Sequence, residues 1–427
     1  MNEQKKEYLI ISILPIMMVI FAFYLESPQK IFIGMINIFR SNDILISDYF
    51  IIGNIGAAFL NSALITLANI FLIYKLRLRL NGLLIMSLFI ILSFGFMGKN
   101  GVNIIPFYIG TYLYAVLFNK RYKTVVAISM LSTTLAPVVS SLGIYGIFIG
   151  IIVGFIMPVI SKQALHFHNG YSLYNSGLSG GLLGIVIYSI ISAYGINFDI
   201  NTVYYMKFDN RVFYFFIVYF LILIFIGLFY DKKIKTNMIS IYGHTGRLVT
   251  DFVQKEGFYA VILNMGTLGL ISVLISKLYG VLNGPVICSM LTIVAFGGFG
   301  KHIKNVLPLI IGVSLAPYLF KIQIEPTILL MTMFFSTTLA PISGKFGITA
   351  GIIAGILHYA LAVRIGVIHG GINLYNNGLA AGILASVYVP VIEEIKGGIL
   401  GARAEDEISQ NGRRSFKVFT RKKGKRD

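Results

Sequence analysis

The sequence has few charged residues: they account for 12% of its 427 residues, whereas 56% of the residues are hydrophobic. A soluble domain carries about a quarter charged residues, so this chain does not have enough charge to cover a soluble surface. The single cysteine, Cys288, excludes an internal disulfide. The low charge excludes an ordinary soluble protein and indicates that the lipid bilayer is the main partner.

Carboxylates are almost absent from the apolar segments, apart from Asp48 near one segment start and Glu393 with Glu394 near the last segment end. Proton pumps usually rely on buried Asp or Glu, and cation-selective pores commonly display acidic rings. The chain also lacks a Walker-type phosphate loop and a Cys/His cluster with metal-ligand spacing. These absences argue against a proton pump, a cation pore and an ATP-driven pump, and we expect no cofactor and no metal.

Long apolar runs are present instead. Those at 8–25 and 212–230 are long enough to cross roughly 30 Å of hydrocarbon as helices. The runs are continuous, whereas a membrane β-barrel would show alternating segments. No small-residue cleavage pattern follows the N-terminal run, so we expect a retained first helix. The sequence predicts an all-α integral membrane protein.

Several motifs occur twice in the same order along the chain, which indicates a duplicated unit. Each unit contains six apolar segments, and one further helix joins the two units. Six plus one is odd, so the second unit is predicted to run upside down relative to the first. The repeated motifs are "GFMGKNGVNIIP" (95–106) with "GGFGKHIKNVLP" (297–308), "STTLAP" (132–137 and 336–341), and "SLYNSGLSGG" (172–181) with "NLYNNGLAAG" (373–382).

The predicted organisation is therefore two inverted-topology repeats of about six helical segments each, plus an N-terminal and a linker helix. Short segments such as 83–97 and 103–118 either cross the membrane or form re-entrant hairpins. Either arrangement leaves the number of crossings between the two units odd. The predicted boundaries are 1–47 for the N-terminal helix and connector, 48–195 for repeat 1, 196–256 for the linker helix and cytoplasmic loop, 257–395 for repeat 2, and 396–427 for a basic cytoplasmic tail.

Loop charges agree with the inversion. The basic loops "YKLRLRL", "FNKRYK", "YDKKIK" and "GKHIK" fall on one side, and the acidic "NFDINTVYYMKFDN" falls on the other with the weakly charged "SKLYG" and "FKIQIE". The positive-inside rule accounts for the net charge of +18 without nucleic acid. It predicts an inner (plasma) membrane protein with both termini in the cytoplasm.

The candidate site follows from the inverted repeat, because many transporters with this symmetry bind their solute between the halves. Proline frees a backbone carbonyl, so the two "STTLAP" motifs predict broken helices with exposed polar groups. The alternative is a kinked packing helix whose hydroxyls bond to their own backbone. The Tyr-Asn pairs precede small-residue helices and are expected to gate or orient the solute. The predicted substrate-binding residues are Ser132, Thr133, Thr134, Pro137, Tyr174, Asn175, Ser336, Thr337, Thr338, Pro341, Tyr375 and Asn376.

Four further residues have two open interpretations. Lys99 and Lys301 are either solvated loop residues or, at the tips of re-entrant hairpins, two buried cations that form an anion site. His168 and His369 are either structural hydrogen-bond donors or proton-linked groups that titrate near neutral pH.

The paired "STTLAP" and "LYNxGL" motifs resemble a bacterial multi-pass membrane family of unassigned function, a resemblance that covers nearly the whole chain and implies no activity. The chain is also distantly similar to the urea transporter family, whose inverted halves each carry a Tyr-Asn-Gly-type turn before a small-residue helix. Tyr174-Asn175 and Tyr375-Asn376 lie in comparable contexts. Asn61 and Asn264 lack the following proline of that family's motif, so urea specificity is not implied.

We expect a transporter or channel, not an enzyme, that moves a small neutral or anionic polar solute. Transporters of this shape often form homo-oligomers, and the sequence fixes no number of subunits. One alternative is a membrane-embedded enzyme acting on lipid-linked substrates, for which Glu393, Glu394 and the two histidines are the candidates. The other is a non-transporting scaffold whose working part is the tail.

Overall fold

The computed structural model describes residues 3–198, 202, 204–322 and 325–397, so the predicted basic tail lies outside the described residues apart from its first two positions. Ten described helical stretches are long and apolar enough to cross a membrane. The helices are α1 Glu3–Leu25, α2 Pro28–Arg40, α3 Tyr49–Ile52, α4 Ile55–Lys75, α5 Gly82–Phe94, α6 Ile105–Leu117, α7 Val126–Ser132, α8 Ala136–Leu142, α9 Ile144–Phe167, α10 Asn175–Ala193, α11 Asn210–Tyr230, α12 Ile234–Gly243, α13 Phe252–Glu256, α14 Phe258–Leu278, α15 Gly284–Ala295, α16 Ile303–Phe320, α17 Pro326–Ser336, α18 Ala340–Phe346, α19 Ile348–Ile365 and α20 Asn376–Gly397.

The two halves are built alike, with α4 to α10 followed by their counterparts α14 to α20. Equivalent residues make equivalent contacts in both halves. The Asn61 side chain donates to the carbonyls of Gly95 and Lys99, both at 2.8 Å. The Asn264 side chain donates to the carbonyls of Gly297 and Lys301, at 2.7 and 2.8 Å. The internal similarity of the sequence therefore corresponds to similar local structure.

The equivalent helices α5 and α15 pack against each other in antiparallel directions at the centre of the protein. Gly82, at the start of α5, lies against Gly298 just beyond the end of α15. Gly284, at the start of α15, lies against the carbonyl of Phe96 just beyond the end of α5. Nearly every residue of both helices is buried, which explains why their sequences are apolar all round.

The equivalent helices α10 and α20 meet at their N-terminal ends. A Cβ atom on Gly177 would lie 2.7 Å from the Cα of Gly378, and a Cβ on Gly378 would lie 2.8 Å from the Cα of Gly177. Only glycine at both positions permits this distance between the backbones. The small residues after the Tyr-Asn pairs therefore bring the two halves together.

Both "STTLAP" motifs interrupt a helix, as the sequence predicts. A 3₁₀ turn at Thr133–Leu135 separates α7 from α8, and a second at Thr337–Leu339 separates α17 from α18. Pro137 and Pro341 lie in the first turn of the following helix, where a missing N–H costs little. The breaks place the middle residues of each motif beside the opposite half of the molecule.

Candidate functional site

The loop before each Tyr-Asn helix binds the interrupted helix of the other repeat. The backbone N–H of Leu173 donates to the carbonyl of Thr338, and that of Leu374 donates to the carbonyl of Thr134, both at 2.9 Å. The Tyr174 N–H donates to the Thr338 hydroxyl at 2.9 Å, and the Thr134 hydroxyl donates to the Asn373 side chain at 2.6 Å. The two repeats therefore hold each other's loops at one interface.

The other hydroxyls of the "STTLAP" motifs bond within their own helices. Ser132 and Thr133 donate to the carbonyls of Ser129 and Met130. In the second repeat, Ser336 and Thr337 donate to the carbonyls three residues earlier, at 2.7 and 2.5 Å. Ser132 and Ser336 follow the local alternative from the sequence. Thr133 and Thr337 also hydrogen-bond Tyr375 and Tyr174 of the other repeat, and Thr134 and Thr338 connect the repeats as well.

Two buried lysines bind the two Tyr residues in a crossed arrangement. Lys99 of the first repeat donates to the Tyr375 hydroxyl of the second. Lys301 of the second repeat donates to the Tyr174 hydroxyl of the first at 2.6 Å, and to Thr337 at 2.6 Å. Both lysines have 0% of their surface exposed. The structure therefore favours the buried interpretation of both lysines over a solvated loop position.

Aromatic rings surround each ammonium group. The Lys99 Nζ lies 4.7 Å from the ring centre of Tyr375 and 5.1 Å from that of Phe94. The Lys301 Nζ lies 4.4 Å from the ring centre of Tyr174 and 5.0 Å from that of Phe296. Phe94 and Phe296 occupy equivalent positions in the two repeats. Ring faces attract cations, so the aromatic residues would stabilise the protonated form of each amine.

Neither lysine has a carboxylate partner in the described part of the chain. The ion pairs described there are Lys6–Glu3, Lys30–Glu26, Arg211–Asp209 and His244–Glu256. Lysine is almost never fully buried unless it is paired, because an isolated buried ammonium is expensive. A negative charge placed at this interface would stabilise the protonated form of both amines.

A cavity of about 260 Å³ lies beside the crossed pairs. Tyr174 and Tyr375 both line it, so the two lysines lie immediately behind its wall. The exposed residues Lys162 and Val249 also line it and mark where it reaches the surface. The apolar part of the lining includes Leu83, Met86, Ile90, Phe94, Ile128, Leu131, Leu173, Phe296, Phe299, Phe335 and Leu374.

The structure separates the predicted site residues into groups. Tyr174, Asn175 and Tyr375 line the 260 Å³ cavity. Asn376 instead lines a second cavity of about 210 Å³, together with Tyr204 and Thr332. The predicted residues outside the described lining of both cavities are Ser132, Thr133, Thr134, Pro137, Ser336, Thr337, Thr338, Pro341, Lys99, Lys301, His168 and His369.

The two histidines organise the turns that precede the Tyr-Asn pairs. The Nδ1 atom of His168 accepts from the N–H groups of Gly170 and Ser172, and its Nε2 atom lies 3.1 Å from the Asn175 side-chain oxygen. Burial lowers the pKa of His168 below its ordinary value. The Nδ1 atom of His369 accepts from the N–H of Asn373. Acceptor roles of this kind suit neutral, structural histidines.

Sequence reasoning missed the buried carboxylate of Asp43. Its oxygens accept from the Tyr49 hydroxyl at 2.7 Å, the Ser140 hydroxyl at 2.6 Å, and the Asn103 and Asn100 side chains at 2.9 and 3.3 Å. Burial raises the pKa of Asp43 to about 6. Its equivalent is Gly246, so comparison of the two repeats gave no signal. In the sequence, Asp43 is simply a single Asp before an apolar segment.

The remaining acidic and metal-binding candidates do not form a cluster. Glu393 accepts from the Tyr171 hydroxyl at 3.3 Å and is exposed, as is Glu394. Among the described residues, no group of three or more His, Cys, Asp or Glu side chains is placed to hold a metal ion.

The family described as "Protein of unknown function (DUF1576)" matches residues 27–193 and 230–394, which together make up well over half of the chain. The two matched stretches correspond to the two halves of the structure. No curated protein and no solved structure matches the chain, so the likeness to urea transporters is not supported by these comparisons. This multi-pass helical membrane protein therefore belongs to the DUF1576 family, whose function is unknown.

Proposed function

We propose that the protein is a membrane transporter or channel that moves a small neutral or anionic solute through a site between two inverted repeats. The observation that carries the proposal is the cavity lined by the equivalent residues Tyr174 and Tyr375, each bound by a buried lysine of the other repeat. Sites at a repeat interface are typical of transporters with inverted symmetry.

The antiparallel packing of α5 and α15 supports the inverted topology. When an axis in the membrane plane relates two copies of one unit, the equivalent helices of the two copies run antiparallel. The contact of Gly177 with Gly378 lies on such an axis, because each glycine touches its own equivalent. An odd number of crossings between the units gives the same inversion.

The charge distribution supports a neutral or anionic solute. Lys99 and Lys301 lie behind the cavity wall, and the described lining contains no Asp or Glu side chain. A cation in this cavity would meet two hydrogen-bond-donating amines behind the wall and no acidic ring to attract it.

Flux across the membrane of proteoliposomes tests the proposal. The double variant Asn175→Ala with Asn376→Ala changes one residue in each cavity, and we expect it to lower uptake of the transported solute. Asn237→Ala is the matched control, because Asn237 lies on α12 and binds Asp231. Unchanged uptake in the double variant would contradict the site assignment.

The rival functions are separable from transport. A scaffold that works through its tail should fail when residues 403–427 are deleted, whereas a transporter should keep its flux. An enzyme acting on lipid-linked substrates would need a polar cluster, and its candidates Glu393, His168 and His369 bond to other partners rather than to one another. We propose that the protein is not an enzyme and lies in the plasma membrane with both termini in the cytoplasm.

A further inference from the structure

We propose that the 260 Å³ cavity binds an organic monocarboxylate: the carboxylate meets the hydroxyls of Tyr174 and Tyr375, and the hydrocarbon body lies against the apolar wall. This inference depends on the proposed function, since it names the class of solute that the site would carry. It gives the two buried lysines a common role, which is to stabilise the bound carboxylate.

The charge that the two lysines can carry favours an anion. Lys99 and Lys301 each place an amine behind the cavity wall, and the described residues supply no carboxylate to either. Isolated buried ammonium groups are expensive. A bound anion reduces that cost, because opposite charges attract strongly where water is excluded.

The hydrogen bonding of the tyrosines favours a carboxylate. Each hydroxyl accepts from a lysine and also has a threonine partner, Thr337 for Tyr174 and Thr133 for Tyr375. A phenol can turn its own proton from a threonine to a carboxylate, because a charged acceptor forms the stronger hydrogen bond. Donation from an ammonium through a hydroxyl to a carboxylate is a chain of hydrogen bonds that polarise one another.

The apolar wall of the cavity favours a solute with a hydrocarbon body. Phe94, Phe296 and Phe335 line the cavity with several Leu and Ile residues, and few polar side chains interrupt them. A strongly hydrated inorganic anion would lose its water against this surface without replacement. A monocarboxylate with a hydrocarbon body satisfies both the charge and the wall.

The exposed side chain of Lys162 adds to the argument, because it lies where the cavity reaches the surface. A positive charge at an entrance raises the local concentration of anions. A neutral hydrocarbon would gain nothing from it.

Ligand-dependent thermal stability of the purified protein in a neutral detergent tests the proposal without a flux assay. The probes are acetate, butyrate, hexanoate and benzoate at one pH and ionic strength, with hexanamide as the neutral match for hexanoate. We expect hexanoate and benzoate to raise the melting temperature more than acetate does, because they bury more apolar surface. We expect no comparable rise with hexanamide.

Four variants connect the effect to the named residues. Tyr174→Phe and Tyr375→Phe keep the rings and remove the hydroxyls, while Lys99→Met and Lys301→Met remove the charges. Each should weaken hexanoate binding by roughly tenfold to a hundredfold, the effect of losing a charge-assisted hydrogen bond. Lys123→Met is the matched control, because Lys123 is exposed, and it should bind hexanoate normally.

Failure to fold does not confound the result, because the Tyr→Phe pair retains the packing. Equal stabilisation by hexanoate and hexanamide, or normal hexanoate binding in both Tyr→Phe variants, would overturn the carboxylate assignment. Transport of a neutral solute without carboxylate binding would overturn this inference and leave the proposed function standing. Carboxylate binding without flux of any solute would overturn the proposed function and keep the binding site.

Discussion

Asp48 and Asp251 occupy equivalent positions in the two repeats, and each carboxylate binds the first helical residue of the other repeat's central helix. Asp48 accepts from the N–H of Gly284 at 3.3 Å, and both oxygens of Asp251 accept from the N–H of Gly82 at 3.0 Å. Each Asp also caps the short helix that follows it, α3 or α13. Negative charge at a helix N-terminus is stabilising, so this exchange anchors α5 and α15.

The first prediction concerns this exchange. Asp251→Ala removes both acceptors of the Gly82 N–H and the cap of α13, and we expect the protein to lose about 1–2 kcal/mol of stability. Thermal unfolding in detergent measures the change. The control Glu394→Ala removes an exposed carboxylate and should leave the melting temperature unchanged. If Asp251→Ala melts at the same temperature as the native protein, the anchoring role is contradicted.

The second prediction concerns the contact of α10 with α20. Gly177→Ala would bring a methyl group within 2.7 Å of the Gly378 backbone, so the helices must separate. Overpacking of this kind costs about 1–3 kcal/mol, and we expect a lower melting temperature. Gly101→Ala is the control, since a Cβ there meets open space. If both variants melt at the same temperature, the close approach does not hold the halves together.

The third prediction separates the two kinds of hydroxyl in the "STTLAP" motifs. Thr338→Val removes the acceptor of the Tyr174 N–H, which leaves a buried donor unsatisfied at a cost of about 1–3 kcal/mol. Ser336→Ala removes only a bond to a carbonyl of its own helix. We therefore expect a larger loss of thermal stability from Thr338→Val. A larger loss from Ser336→Ala would contradict the assignment of Thr338 to the interface.

The fourth prediction concerns pH. Burial lowers the pKa of His302 from 6.5 to about 4, so the unfolded chain binds a proton that the folded chain excludes as the pH falls. The stability that depends on neutral His302 is fully present above pH 6.5 and is lost as the pH falls toward 4. His302→Asn installs the residue found at the equivalent position, Asn100. Between about pH 7 and pH 5 we expect the melting temperature of the variant to fall less than that of the native protein, and equal slopes would contradict this.

The sequence predicted the long helices and the interruptions at "STTLAP", because apolar length and a repeated Pro are local signals. It did not predict α2, α12 or α13, which are short helices outside the long apolar runs. Asp251 and Asp48 escaped attention as a pair because their partners, Gly82 and Gly284, lie far away in sequence. Such contacts depend on how the two repeats pack, and local patterns in the sequence do not reveal this packing.

The candidate site was predictable in part. Tyr174 and Tyr375 stood out because a repeated Tyr-Asn pair is unusual in an apolar chain, and both line the cavity. Lys99 and Lys301 remained ambiguous, because a lysine flanked by glycines has the same local sequence in a solvated loop as in a buried turn. Their crossed pairing with the tyrosines requires the two halves to be assembled, and only the structure supplies that arrangement.

The inversion of the second repeat is most directly tested by the sidedness of two equivalent loops, "FNKRYK" and "FKIQIE". In a Cys288→Ser background, Arg121→Cys and Lys321→Cys each place one thiol on an exposed residue of these loops. An impermeant maleimide applied to intact cells should label Lys321→Cys, and should label Arg121→Cys only after the membrane is opened. Labelling of both positions from the same side would contradict the inverted repeat and the solute site built on it.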